Sequence, residues 1–147
     1  MSRNQYIGVS EQLKASKHRL DDARALFNSA RWHGAMYVAG YSIECLLKAK
    51  LMQMYNCRHL RELEEELQGR GVLAAEATVF THHLEVLLRL AKGRERLRQN
   101  RSLWPLFSIV NQWMPAWRYS SNLSNSKSAK SFLEAVEKII DWIEHNI

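Results

Sequence analysis

Tyr37, Tyr41, Glu44 and Lys48 follow one another at intervals of four, three and four, which places two phenols, a carboxylate and an ammonium on one stripe of a helix. The stretch from Trp32 to Ile43 holds no Asp, Glu, Lys or Arg, so Glu44 is a carboxylate set into an apolar helix. A carboxylate buried alone is expensive and has to meet a cation or a hydrogen-bond donor. Lys48 is one turn away, and an arginine from elsewhere in the chain would also serve. The resulting pair either fixes helix register or forms part of a site.

Two other groups carry chemistry. His82 and His83 are adjacent, so on a helix they point about 100° apart and do not share a metal easily. At a helix start, His82 is expected to cap or to pack. With no HxxxH, CxxC or mixed cluster, no metal or other cofactor is expected, and no nucleophile motif supports a catalytic triad. In "WRYSS", residues 117–121, Trp117, Arg118 and Tyr119 stand together in a polar loop. Such a group stacks on a base and holds a phosphate on single-strand binding surfaces. The alternative is that the rings pack inward and Arg118 reaches Glu44.

The formal charge is +6, and Lys92, Arg94, Arg96, Arg98 and Arg101 fall within ten residues opposed only by Glu95. An excess of this kind favours polyanion partners, although a solvated helix face reads the same way. Cys45 and Cys57 have no metal-ligand spacing and read as reduced thiols of a cytoplasmic protein. The opening "MSRNQYIGVSEQLK" has no apolar signal region, and no uncharged run reaches the ~18 residues of a membrane span.

A chain of 147 residues with 46% hydrophobic residues and two prolines fits a single domain, 1–147. Leu13, Leu20 and Phe27 mark an amphipathic helix over 10–30 with Ser10 as N-cap. The segment 32–55 is apolar on most faces and reads as the central helix, with Gly34 and Gly40 allowing close neighbours. Residues 58–70 form a charged connector helix ended by Gly69 or Gly71. "THHLEVLLRLAKG" follows, with Thr81 as cap and Gly93 as stop. Ser102 and Pro105 start a helix that Pro115 ends. Residues 116–128 read as a loop. Phe132, Val136, Ile139, Ile140 and Ile143 mark the last helix. The expectation is an all-α fold with four main helices and one or two short accessory helices. Trp104, Trp113 and Trp117 suit either the core or a buried interface.

Three blocks in order resemble the HEPN superfamily, the higher eukaryotes and prokaryotes nucleotide-binding domain. "AMYVAGYSIECLLKAKL" is similar to its central helix, with small and aromatic residues ahead of a Glu and a Leu-Leu-Lys-Ala. "THHLEVLL" is similar to the Thr-His-Asp-Leu start of its third helix, with His83 in place of Asp. "WRYS" resembles the Arg-Tyr-Pro block before its last helix, with Ser120 in place of Pro. The blocks and their surroundings span 32–147. The resemblance implies an up-and-down four-helix bundle, a homodimer, and nucleotide or RNA binding in toxin–antitoxin or phage-defence settings beside a nucleotidyltransferase. Nuclease members carry an Arg, four to six residues, then a His; none of the six histidines here has an Arg five to seven positions before it. The resemblance therefore implies a non-catalytic binding module with Tyr41, Glu44, Lys48, His82, Arg118 and Tyr119 around one pocket and the 92–101 cations as its electrostatic patch. The alternatives are an antitoxin-like partner subunit with a purely structural Glu44–Arg118 pair, and a ribonuclease using His82 and Arg118.

Overall fold

Small residues decide how the two longest N-terminal helices meet. α1 (Val9–Asn28) and α2 (Trp32–Met54) are joined by a tight turn in which Ala30 takes φ +60°, and they close on Ala23, Ala35 and Ala39, all fully buried. Ser16 Oγ donates to the Ser42 carbonyl at 2.7 Å, a buried tie between the two helices. The computed structural model describes residues 3–74, 76–120 and 124–147, so residues 121–123 of the serine-rich loop lie outside the described residues. The remaining helices are α3 (Leu60–Gly69), α4 (Leu84–Leu90), α5 (Arg94–Arg98), α6 (Trp104–Val110) and α7 (Ser126–Asn146), with 3-10 turns at Arg3–Tyr6 and Pro115–Tyr119.

The protein is an all-α bundle with accessory helices. α7 packs on α2 and presents Phe132, Val136, Ile139, Ile140 and Ile143 to the core, as their spacing requires. α4 lies on α2 and α6 on α7, so short helices complete the bundle where one long helix could have run. More short helices form than the one or two expected, because two breaks interrupt 84–110: a left-handed Lys92 and the turn at 99–103. No helix among the described residues is long and apolar enough to cross a membrane.

Several local expectations need correction. Gly8, not Ser10, precedes α1: a Cβ there would sit 2.9 Å from the Arg58 carbonyl oxygen, and its N–H donates to the Glu11 carboxylate at 3.3 Å. α4 is stopped by Lys92 at φ +58°, with Gly93 starting α5 at a negative φ. His83 rather than Thr81 is the N-cap of α4, and Leu103 rather than Ser102 that of α6. α6 ends at Val110, ahead of Pro115, which instead opens the 3-10 turn. Residues 126–128 belong to α7, whose N-cap Asn125 accepts from Ser128 N at 2.8 Å. Trp113 is buried, and Trp104 and Trp117 pack half-buried against the core.

α3 is less exposed than its text suggests. Leu60, Leu63 and Leu67 are buried, and so is Glu64. The Glu64 carboxylate accepts from Thr78 Oγ1 at 2.7 Å, Val79 N at 2.8 Å and Gln68 Nε2 at 3.3 Å. A carboxylate with several donors is well satisfied in the interior. Its effect is to fasten the segment that leads to His82.

Candidate functional site

Glu44 is 6% exposed and has two partners: Lys48 Nζ at 3.4 Å on its own helix and His82 Nδ1 at 2.6 Å from the segment before α4. The Lys48 pairing follows from the four-residue spacing; the His82 bond is a tertiary contact. His82 is therefore neither a cap nor a core residue. With Nδ1 turned to the carboxylate, its other ring nitrogen, Nε2, belongs to a side chain that is 52% exposed. A carboxylate on one imidazole nitrogen fixes the tautomer and orientation of the other.

These three side chains line a cleft of about 550 Å³ between α1, α2 and the segment before α4, together with Gln12, Cys45 and Phe80. That volume lies in the range of small-ligand sites. Burial, and then the neighbouring Glu44 charge, push the Cys45 thiol up to about 11. At pH 8 its thiolate fraction is on the order of 0.001, against about a quarter for an unperturbed thiol. A Cys57→Ser variant, in which Cys45 is the remaining thiol, should accordingly react with Ellman's reagent roughly tenfold or more slowly than free cysteine; release at the free-cysteine rate would contradict the packing around Cys45.

Tyr41 stands beside the cleft. Its hydroxyl shares a 3.1 Å hydrogen bond with that of Tyr37, and its ring lies edge-on to Trp113 at 4.8 Å and to His82 at 6.4 Å. Burial, then the Tyr37 bond, then the charge of Glu44 hold the Tyr41 phenol well above its ordinary range, while Arg118 opposes them. Tyr41 is thus a neutral hydrogen-bonding group that feels both Glu44 and Arg118.

Arg118 and Tyr119 occupy the 3-10 turn, both exposed, with the Arg118 guanidinium 5.7 Å from the Tyr119 ring centre. They do not line the Glu44 cleft. The alternative Glu44–Arg118 pair is not formed: Lys48 and His82 take the carboxylate and leave Arg118 outside. Trp117 alone turns inward, onto Phe132 at 5.5 Å. The turn is held by His33, whose Nε2 lies 2.6 Å from the Trp117 carbonyl and so donates to it. Its Nδ1 faces Ser124 Oγ at 3.5 Å.

The basic run is dispersed. Arg94 bridges Glu85 at 2.7 Å and Glu95 at 3.2 Å, and Arg98 bonds Glu95 at 2.8 Å. The Arg94 and Asn111 bonds hold the Glu85 carboxyl below its usual range. Arg96 lies over Trp142 at 5.9 Å, and Lys92 and Arg101 are exposed. None of the five lines the Glu44 cleft. Among the described residues no three His, Cys, Asp or Glu side chains cluster as a metal ion would need.

Phe80, Glu64 and His33 were not singled out from the sequence. Phe80 supplies an aromatic wall to the cleft, and the other two anchor the segments carrying His82 and Arg118. Only Glu64 left a trace, as the one acid on the apolar stripe Leu60, Leu63, Leu67. The fold and site together define an all-α bundle with a buried carboxylate that presents a histidine at a cleft. Compared with protein-family models, curated proteins and solved structures, the chain matches none.

Proposed function

We propose that the protein is a non-catalytic, HEPN-like nucleotide- or RNA-binding module. In this reading it is a cytoplasmic homodimer acting beside a nucleotidyltransferase in a toxin–antitoxin or phage-defence system. The observation that carries it is the 2.6 Å bond from His82 to Glu44, which holds an exposed imidazole between the cleft and Tyr41. The ligand lies across that rim: His82 and Tyr41 hydrogen-bond its polar groups, and Arg118 takes a phosphate while Tyr119 stacks on a base. Lys48 and Glu44 act beneath it by holding His82.

A titration of the protein into a labelled mixed RNA pool, read for mobility and strand integrity at two salt concentrations, tests this. Binding should fall steeply with salt and leave the strands intact. Arg118→Ala should weaken it by roughly tenfold and reduce the salt slope by about one, with no change in melting, because the side chain is exposed. Affinity unchanged in Arg118→Ala would remove the turn from the site. A second reading, ribonuclease activity with His82 as general base, draws on the same bond, since a carboxylate on Nδ1 suits Nε2 to accept a proton. Cleavage that is lost in His82→Gln would establish it in place of the first.

A further inference from the structure

The C-terminal ends of α2, α3 and α4 meet at a second hollow, of about 680 Å³, and all three end alike. Cys57 N donates to Met52 O at 2.8 Å, Val72 N to Leu67 O at 3.1 Å, and Gly93 N to Leu88 O at 3.0 Å, each bond spanning five residues and closing its helix. Such closures place one residue in the left-handed region, where glycine or asparagine is favoured. Asn56 and Gly71 follow that preference, at φ +53° and +68°. Lys92, at +58°, does not. Ala30 shows that the fold tolerates an ordinary L-residue in such a turn, so what Lys92 adds over glycine is its ammonium at the rim.

Among the described residues the lining is cationic and apolar, with no acid. Arg70, Arg89 and Lys92 supply the charge, and Tyr55, Val72 and Leu90 supply much of the apolar wall. Arg70 lies over the Tyr55 ring at 5.3 Å and bonds Glu66 at 2.6 Å. Arg89 and Lys92 have no carboxylate within ion-pair distance among the described residues. Glu85, whose carboxyl Arg89 influences, is already bonded by Arg94 and Asn111. Val72 is 43% exposed at the mouth. Unpaired cations beside an exposed apolar and aromatic wall suit a ligand that is itself half apolar and half anionic.

We propose that this hollow binds a small organic anion, a phosphate or carboxylate carried on a planar or apolar body. Arg89 and Lys92 hold the anionic group, and the Tyr55, Val72 and Leu90 wall covers the body. The site is separate from the Glu44 cleft, shares no lining residue with it, and does not depend on how that cleft is used.

Calorimetric titration with 2-naphthyl phosphate, compared with 2-naphthol and with inorganic phosphate, is the test. The whole molecule should bind roughly tenfold or more tightly than either half. Arg89→Gln and Lys92→Gly should each weaken it several-fold, while Lys14→Gln, an equal change of charge on exposed α1, leaves it unaltered. Lys92→Gly relieves the left-handed backbone and should melt at or above the wild-type temperature, so its loss of binding is not a loss of folding. No binding of 2-naphthyl phosphate at millimolar concentration overturns the proposal and leaves the cations as balance for three helix ends. Binding that survives both substitutions overturns it as well, by placing the ligand elsewhere.

Discussion

Gly40→Ala should be among the most destabilising single-methyl changes in the chain, lowering stability by about 3 kcal/mol or more. A Cβ at Gly40 would lie 2.2 Å from two atoms of the Trp113 indole and 2.3 Å from a third. The indole has little room to yield: it is buried, and its Nε1 donates to the Tyr37 carbonyl at 2.8 Å. Against this, alanine gains about 1 kcal/mol of helix propensity over glycine, which the clash outweighs. For a domain of this size the loss corresponds to a fall in Tm of roughly 6–12 °C. Gly34→Ala on the same helix is the control, because its nearest neighbour, Leu26 Cδ1, is 3.8 Å away. That substitution should be neutral or stabilising by up to about 1 kcal/mol. Equal melting of the two variants would mean that Trp113 does not seat on Gly40. A double variant, Gly40→Ala with Trp113→Leu, should cost less than the sum of its parts, since the leucine removes what the new methyl strikes.

The two glycines also mark the limit of what periodicity conveys. Both read as places where a neighbour could approach, because a missing side chain is visible in the text and the neighbour is not. Which one is used depends on Trp113, 73 positions further along, and no local pattern encodes that pairing. The same division holds elsewhere. The long helices were legible because their apolar spacing repeats over several turns, as in α7. The left-handed stop at Lys92 was not, since glycine next to it offered the more usual signal. Within the site, the Glu44–Lys48 pair is a four-residue contact and could be read directly. His82 and Glu44 are 38 residues apart, and their meeting depends on Glu64 fastening the 78–79 segment, another contact between distant residues. Arg118 was the alternative partner for Glu44, as a loop cation that could reach a buried carboxylate; His82 Nδ1 and Lys48 Nζ take the carboxylate instead.

Replacing Glu44 separates what the carboxylate does for folding from what it does for a ligand. Glu44→Ala should lower stability by about 3 kcal/mol, since it leaves the Lys48 ammonium, 7% exposed, without its anion and His82 without its acceptor. Glu44→Gln keeps the volume and an oxygen for His82 Nδ1, so its cost should be smaller and should come mainly from Lys48. Adding Lys48→Met to Glu44→Gln removes the stranded charge, and an apolar replacement of a buried pair is often neutral or better. The double variant should therefore melt within a few degrees of wild type, as followed by circular dichroism. Its RNA affinity is then informative because the fold is no longer the variable. A loss of tenfold or more at restored stability would mean that the charged pair, through its hold on His82, sets the geometry the ligand meets. Wild-type affinity in the double variant would mean that Glu44 and Lys48 are a structural pair, and that only the oxygen facing His82 matters to the rim.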